Sequence, residues 1–284
     1  MNDYRRQQIH AKALELLQNA GVTTLSVDPI KIAEHLEIDV HAKPDHIEGA
    51  SGWLIKSGEH FGIAYATHIS NEGFQRFSIA HELGHYWIDS HPEHIFKNSS
   101  MHQSHAGFGS ADPIELEADY FAACLLMPAT LCKRVIWGNK DGLAAVKALA
   151  DTANTSLQAS AIRYAELSKI PMAIALSHDG VVEYCFDSGL RKEIGWPRGL
   201  GRGSRIPANT ATMQLASDVD AVLRADEGGD SAPASDWFYG VETKQTINEE
   251  AIGLGAYCRV LTLLTLDESD EEEDDEWDEP RFRK

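Results

Sequence analysis

Two histidines four residues apart, His81 and His85, with a glutamate directly after the first, stand in the run FSIAHELGHYWID from Phe77 to Asp89. On an α-helix, side chains four apart share a face with their Cβ atoms roughly 6 Å apart, so two imidazoles can chelate one ion. Glu82 lies about 100° around the helix from His81, too far to join the ion easily but within reach of a water beside it. That is where a general base for hydrolysis belongs. The HExxH pattern is only moderately specific, because a half-buried helix with incidental histidines carries it too. A third ligand has to decide.

Two positions compete for that role. His91 follows His81 by ten residues, where metzincins carry their third histidine. Those enzymes turn the chain back with a glycine three residues past the second histidine; here Ile88 stands there, and a continuing helix carries His91 away. The other candidate is Glu115, three residues into a helix opened by Asp112-Pro113. Asp119 comes one turn later on the same face, placed to hydrogen-bond a ligating imidazole. Asp112 and Glu115 also fit the two ends of a capping box. The E-x-x-x-D spacing and the apolar YFAACLLM that anchors this helix favour Glu115 as ligand, with Glu117 as the fallback.

The elements that must position these residues follow from periodicity. Residues 3–20 read as a helix with Ile9, Ala13, Leu16 and Leu17 on one face, and Asp28-Pro29 starts a short helix through Leu36. IDVHAK, ASGWLIK and HFGIAYA read as strands, the last two joined as a hairpin across Ser57-Gly58-Glu59. A helix over 72–89 holds the opening motif, His91-Pro92 breaks it, and a polar, His-rich loop containing His94, His102 and His105 runs to Ser110. The helix from Asp112-Pro113 ends at Pro128. Residues 142–167 suggest two helices around a turn at 154–156, with Arg163 the single strong base-reading candidate if the pair met DNA. Structural support for the metal-binding helices is the preferred role of that pair. MAIALS and VVEYCF flank His178-Asp179-Gly180 as a hairpin, and CRVLTLLTL reads as a closing strand.

Composition limits the function classes. With 284 residues and 43% hydrophobic content the chain can bury a real core, and it holds no apolar run long enough for a membrane span. The N-terminal MNDYRRQQIHAKALELL is amphipathic rather than a signal peptide, so the expected compartment is the cytoplasm. Four cysteines without CxxC pairing are expected as buried thiols. The formal charge is -19, and the last eighteen residues, with eleven acids against three bases, carry -8 of it. Such a chain repels nucleic acid phosphates, and no direct nucleic acid binding is expected. The one basic patch, residues 191–205 with Trp196, reads as a solvated loop.

SVDPIKIAEHLEIDV, RFSIAHELGHYW and IELEADYFAACLLMP, in that order, resemble the ImmA/IrrE metallo-endopeptidases over roughly the first half of the chain. The resemblance implies a gluzincin-like zinc peptidase, with His81, His85 and Glu115 as ligands, Glu82 as general base and Asp119 supporting a ligand. It also implies a substrate, a helix-turn-helix transcriptional repressor cut in a stress response or on a mobile genetic element. The expectation is therefore an α+β chain. It comprises a zincin-like peptidase domain over 1–135 with a small three-stranded sheet, a helix-turn-helix-like pair over 139–170, an α+β region over 171–266 that senses a ligand or docks substrate, and a disordered acidic tail over 267–284. Zinc is the expected metal and manganese the alternative; Tyr65, Tyr86 and Tyr120 are the oxyanion candidates. The competing reading is a non-proteolytic regulator or antitoxin-type partner that binds a repressor and keeps a structural metal.

Overall fold

The computed structural model describes residues 1–44, 50–68, 71–104, 112–195, 200–238, 240 and 244–267. The chain divides into two compact units, Met1–Arg163 and Tyr164–Lys284.

The first unit opens with α1 (Asp3–Asn19) and α2 (Pro29–His35). Asn2 caps α1 by accepting the Arg5 amide, and Asp28 accepts from the amides of Ile30 and Lys31 where Pro29 starts α2. α1 buries Ile9, Ala13, Leu16 and Leu17 in the main core. Each buried Ile or Leu there contributes roughly 1.5–3 kcal/mol, so this helix is an integral part of the unit. Three strands follow: β1 (Asp39–Lys43), β2 (Gly52–Ser57) and β3 (His60–Ala66). Then come α3 (Glu72–Trp87), α4 (His91–Ile95), β4 (Met101–Ser104), α5 (Pro113–Leu126) and α6 (Ala129–Trp137). α7 (Leu143–Ala153) and α8 (Leu157–Leu167) finish the helical part, turning at the left-handed Asn154.

The sheet of this unit runs β1-β3-β2-β4, with β1 parallel to β3 and the other pairs antiparallel. β2 and β3 form the expected hairpin, pairing Ser57 with His60, and Gly58 supplies the positive φ of the tight turn. The sheet has four strands where three were expected. The polar stretch after His91 is not a plain loop either: Ser90, at φ 74, reverses the chain into α4, and β4 joins the sheet edge beside β2. A short, polar edge strand such as MHQS shows too little alternation to read from sequence. α6, directly after Pro128, was also unforeseen, because Pro128 closes one helix and serves as N-cap of the next.

The second unit contains β5 (Met172–His178), β6 (Val181–Asp187), α9 (Leu190–Glu193), α10 (Ala211–Ala216), α11 (Val219–Leu223), β7 (Glu227–Pro233), α12 (Ala234–Trp237), β8 (Thr246–Gly253) and β9 (Val260–Leu266). Its strands make an antiparallel sheet in the order β6-β5-β9-β8-β7. The β5–β6 hairpin turns at Asp179 and Gly180, both at positive φ, as the sequence leads one to expect. β8 escapes a hydrophobicity reading because the fully buried Glu249 takes an inward position, where its carboxylate accepts the Thr212 amide.

Arg163 is buried and donates to the Met127 carbonyl at 3.0 Å, so it holds two segments of the first unit together and offers no face to DNA. Of the cysteines, Cys124 and Cys132 are buried, Cys185 is half-buried, and Cys258 is exposed in a left-handed turn, against the expectation of four buried thiols. Among the described residues no single helix is long and apolar enough to cross a membrane. The acidic tail beyond Asp267, His105, and Trp196 with its neighbours in the basic patch lie outside the described residues.

Candidate metal centre

Two glycines let the elements of the site approach. α3 is capped by Asn71, which accepts the Phe74 amide, and buries every residue from Ser78 to His85. At Gly84 a Cβ would stand 3.2 Å from the Ala118 Cα and 3.1 Å from the Phe121 ring, so the missing side chain allows α3 and α5 to pack backbone to backbone. That closeness brings the histidines of one helix to the carboxylates of the other. On β2, a Cβ at Gly52 would come within 2.5 Å of Glu82 Oε1, so the bare backbone makes the space in which the Glu82 carboxyl lies.

His81, His85 and Glu115 converge, each offering one donor atom within a single 4.8 Å cluster. The two Nε2 atoms are 3.0 Å apart, and the Glu115 oxygens lie 3.3 Å from each of them. Zinc bonds of about 2.0–2.2 Å in a tetrahedron set donor atoms roughly 3.3–3.5 Å apart, close to these spacings. Two imidazoles and one carboxylate are also the donor set of a catalytic zinc. The residues present therefore fit a metal.

Behind the ligating face, the Asp119 carboxylate holds His81 Nδ1 at 2.8 Å. Burial opposes charge on His81, but hydrogen bonds to Asp119 and Glu115 outweigh it and push its pKa up to about 10. Burial, with His81 nearby, lowers His85 to about 3. Glu115 is partly buried, yet its neighbours His102, His81 and His85 hold it far below the carboxylate range.

Glu82 is fully buried, and among the described residues neither of its oxygens has a hydrogen-bond partner. Burial drives its pKa up to about 7, with His81 pulling the other way. The Ser104 hydroxyl, on the strand paired with Gly52, faces this carboxyl without the alignment of a full hydrogen bond. Such an unpartnered carboxyl beside three convergent donors has the chemistry to accept a proton.

The sequence reading sends His91 away from the site; the structure keeps it there, because the left-handed Ser90, two residues beyond Ile88, turns the chain. His91 is buried, with Nδ1 3.3 Å from His85 Nδ1 and Nε2 3.1 Å from Glu117, so it stands behind a ligand and not on the metal face. Glu117 is occupied by Arg5 and His91. His102 was assigned to a loop, yet β4 brings its Nε2 to 3.1 Å from Glu115 Oε1 and its ring centroid to 4.6 Å from that of His85. Of the tyrosines weighed for the oxyanion, Tyr86 packs edge-on against Phe61, Tyr120 lies under the Arg6 guanidinium, and Tyr65 packs against the apolar core.

Residues 33–163, just under half of the chain, match the family model of the IrrE N-terminal-like domain, Peptidase_M78. A solved Mycobacterium tuberculosis transcriptional regulator shares the fold with a TM-score of 0.59 at 13% identity, over 92% of this chain and 76% of that one. No curated protein matches the chain significantly.

Proposed function

Residues 33–163 belong to the ImmA/IrrE peptidase family, and from that premise we propose that the protein is a zinc-dependent, gluzincin-type endopeptidase that cuts a helix-turn-helix repressor in the cytoplasm. One observation carries the catalytic half of the proposal: the buried, unpartnered Glu82 carboxyl beside the cluster of His81, His85 and Glu115. A purely structural metal has no use for a base in that position.

His81, His85 and Glu115 hold the ion, and a zinc bound there supplies Lewis acidity to the scissile carbonyl and to the attacking water. Glu82 takes the proton of that water and passes it to the leaving amine, a transfer suited to a carboxyl tuned near neutrality. Asp119 fixes the ring proton of His81 on Nδ1, leaving Nε2 free to ligate. His102 presents a ring nitrogen at the same place, hydrogen-bonded to Glu115, and so helps to hold that carboxylate in position.

The repressor as substrate rests on the family resemblance, and the fold shared with a protein named a transcriptional regulator is in keeping with it. The net charge of -19 suits a protein partner better than DNA. The test is incubation of the purified, zinc-loaded protein with the helix-turn-helix protein encoded beside its gene, with and without chelator. Cleavage that chelator abolishes is the expected result. A stable complex with no cleavage would favour the non-proteolytic regulator instead.

A further inference from the structure

We infer that Arg5, Glu117 and His91 form a directed relay that fixes the ring proton of His85 and thereby aims its Nε2 at the metal. The inference rests on the metal-centre reading above and assigns roles to three residues that ligate nothing.

The direction follows from hydrogen-bond inventory. Arg5 donates to both Glu117 oxygens, from Nε at 2.9 Å and from Nη2 at 2.6 Å. A guanidinium has donors only, so Glu117 is ionised and can only accept. His91 Nε2, 3.1 Å from Glu117 Oε2, must therefore donate. Arg5 already balances the Glu117 charge, and His91 is buried, so a second cation there would go uncompensated. A neutral imidazole has one N–H, which leaves His91 Nδ1 as an acceptor. It lies 3.3 Å from His85 Nδ1, so His85 donates there and its Nε2 carries the lone pair that faces His81 and Glu115.

The result on His85 equals the one that Asp119 imposes on His81 through a single contact. Glu115 meets His85 only at Nε2, and among the described residues His91 brings the influence of Glu117 to its Nδ1. The backbone supports this, because the positive φ of Ser90 returns the chain to the site at the start of α4. Arg5 lies on α1, outside the matched segment, so the positioning set is wider than the family match.

The experiment uses the full chain, depleted of metal, and reads cobalt(II) absorption and zinc affinity by competition, with no substrate present. His91→Phe keeps the ring volume and removes both nitrogens, and is expected to weaken zinc by roughly 10–100-fold and to alter the cobalt spectrum. His91→Asn places an amide oxygen where Nδ1 stood and should restore most of the affinity and the spectrum. Arg5→Met, at the partly exposed far end, should shift both readouts in the same direction and serves if His91→Phe fails to fold. Unchanged affinity and spectrum in Arg5→Met, or in a folded His91→Phe, overturns the relay. Failure of the wild-type chain to bind zinc overturns the metal-centre reading itself, a different result.

Discussion

At Glu82 one carboxyl has been taken out of water beside two imidazoles, and burial raises its affinity for a proton. Glu82→Gln keeps the shape but cannot accept a proton, so the variant should retain zinc while repressor cleavage falls by roughly 10²–10⁴-fold. Zinc content and turnover measured on one preparation check this, and full turnover would remove Glu82 from the mechanism. The same residue gives a pH effect in the metal-free protein. Its folded pKa of about 7 exceeds the ordinary 4.5, so the folded state holds a proton that the unfolded chain releases. Its contribution is present below the ordinary value and lost as pH rises through about 7. Wild type should lose thermal stability relative to Glu82→Gln between about pH 5 and pH 8. His81, His102, Glu115 and Ser104 face the group in both proteins, so the difference isolates Glu82, and parallel melting profiles would show it to ionise normally.

Among the elements, the α3–α5 contact is the one the site depends on, and Gly84 sits at its tightest point. Gly84→Ala gains up to about 1 kcal/mol of helix propensity. Wedging a methyl against the Ala118 backbone and the Phe121 ring costs about 1–3 kcal/mol, so the clash wins. The expected outcome is a lower melting temperature together with weaker zinc binding, read by calorimetry and zinc competition. A more stable variant with unchanged zinc affinity would mean the helices need no such contact. α2 and α5 and their caps were legible in advance because Asp28-Pro29 and Asp112-Pro113 act through local hydrogen bonds. Helical spacing paired His81 with His85, and Glu115 with Asp119, each within its own helix, and the family resemblance joined the two pairs. His102, the path of His91 and the Arg5–Glu117 pair were not legible. They depend on an edge strand of four residues, on one left-handed serine and on a contact across 112 positions, none of which leaves a periodic trace.

For the molecule as a whole, the chain divides into two compact units, and the proposed function gives the chemistry to the first and expects the second to choose the substrate. Every residue of the candidate site lies in the first unit. A chain truncated after Leu167, which completes α8, should keep zinc and cut a short peptide spanning the repressor's cleavage site, while cleavage of the intact repressor weakens. Loss of zinc from the truncated chain would show that the second unit is needed to complete the peptidase fold.

The bidentate grip of Arg5 on Glu117 also bears on where a working module ends. A segment trimmed to residues 33–163 would possess the two ligating histidines, Glu82 and Glu115 and still omit the guanidinium and the four apolar side chains of α1 that the core encloses. Inactivity of such a fragment would testify to its missing helix rather than to its chemistry, and a mutation in those first nineteen residues could disturb the candidate site from outside every recognisable motif.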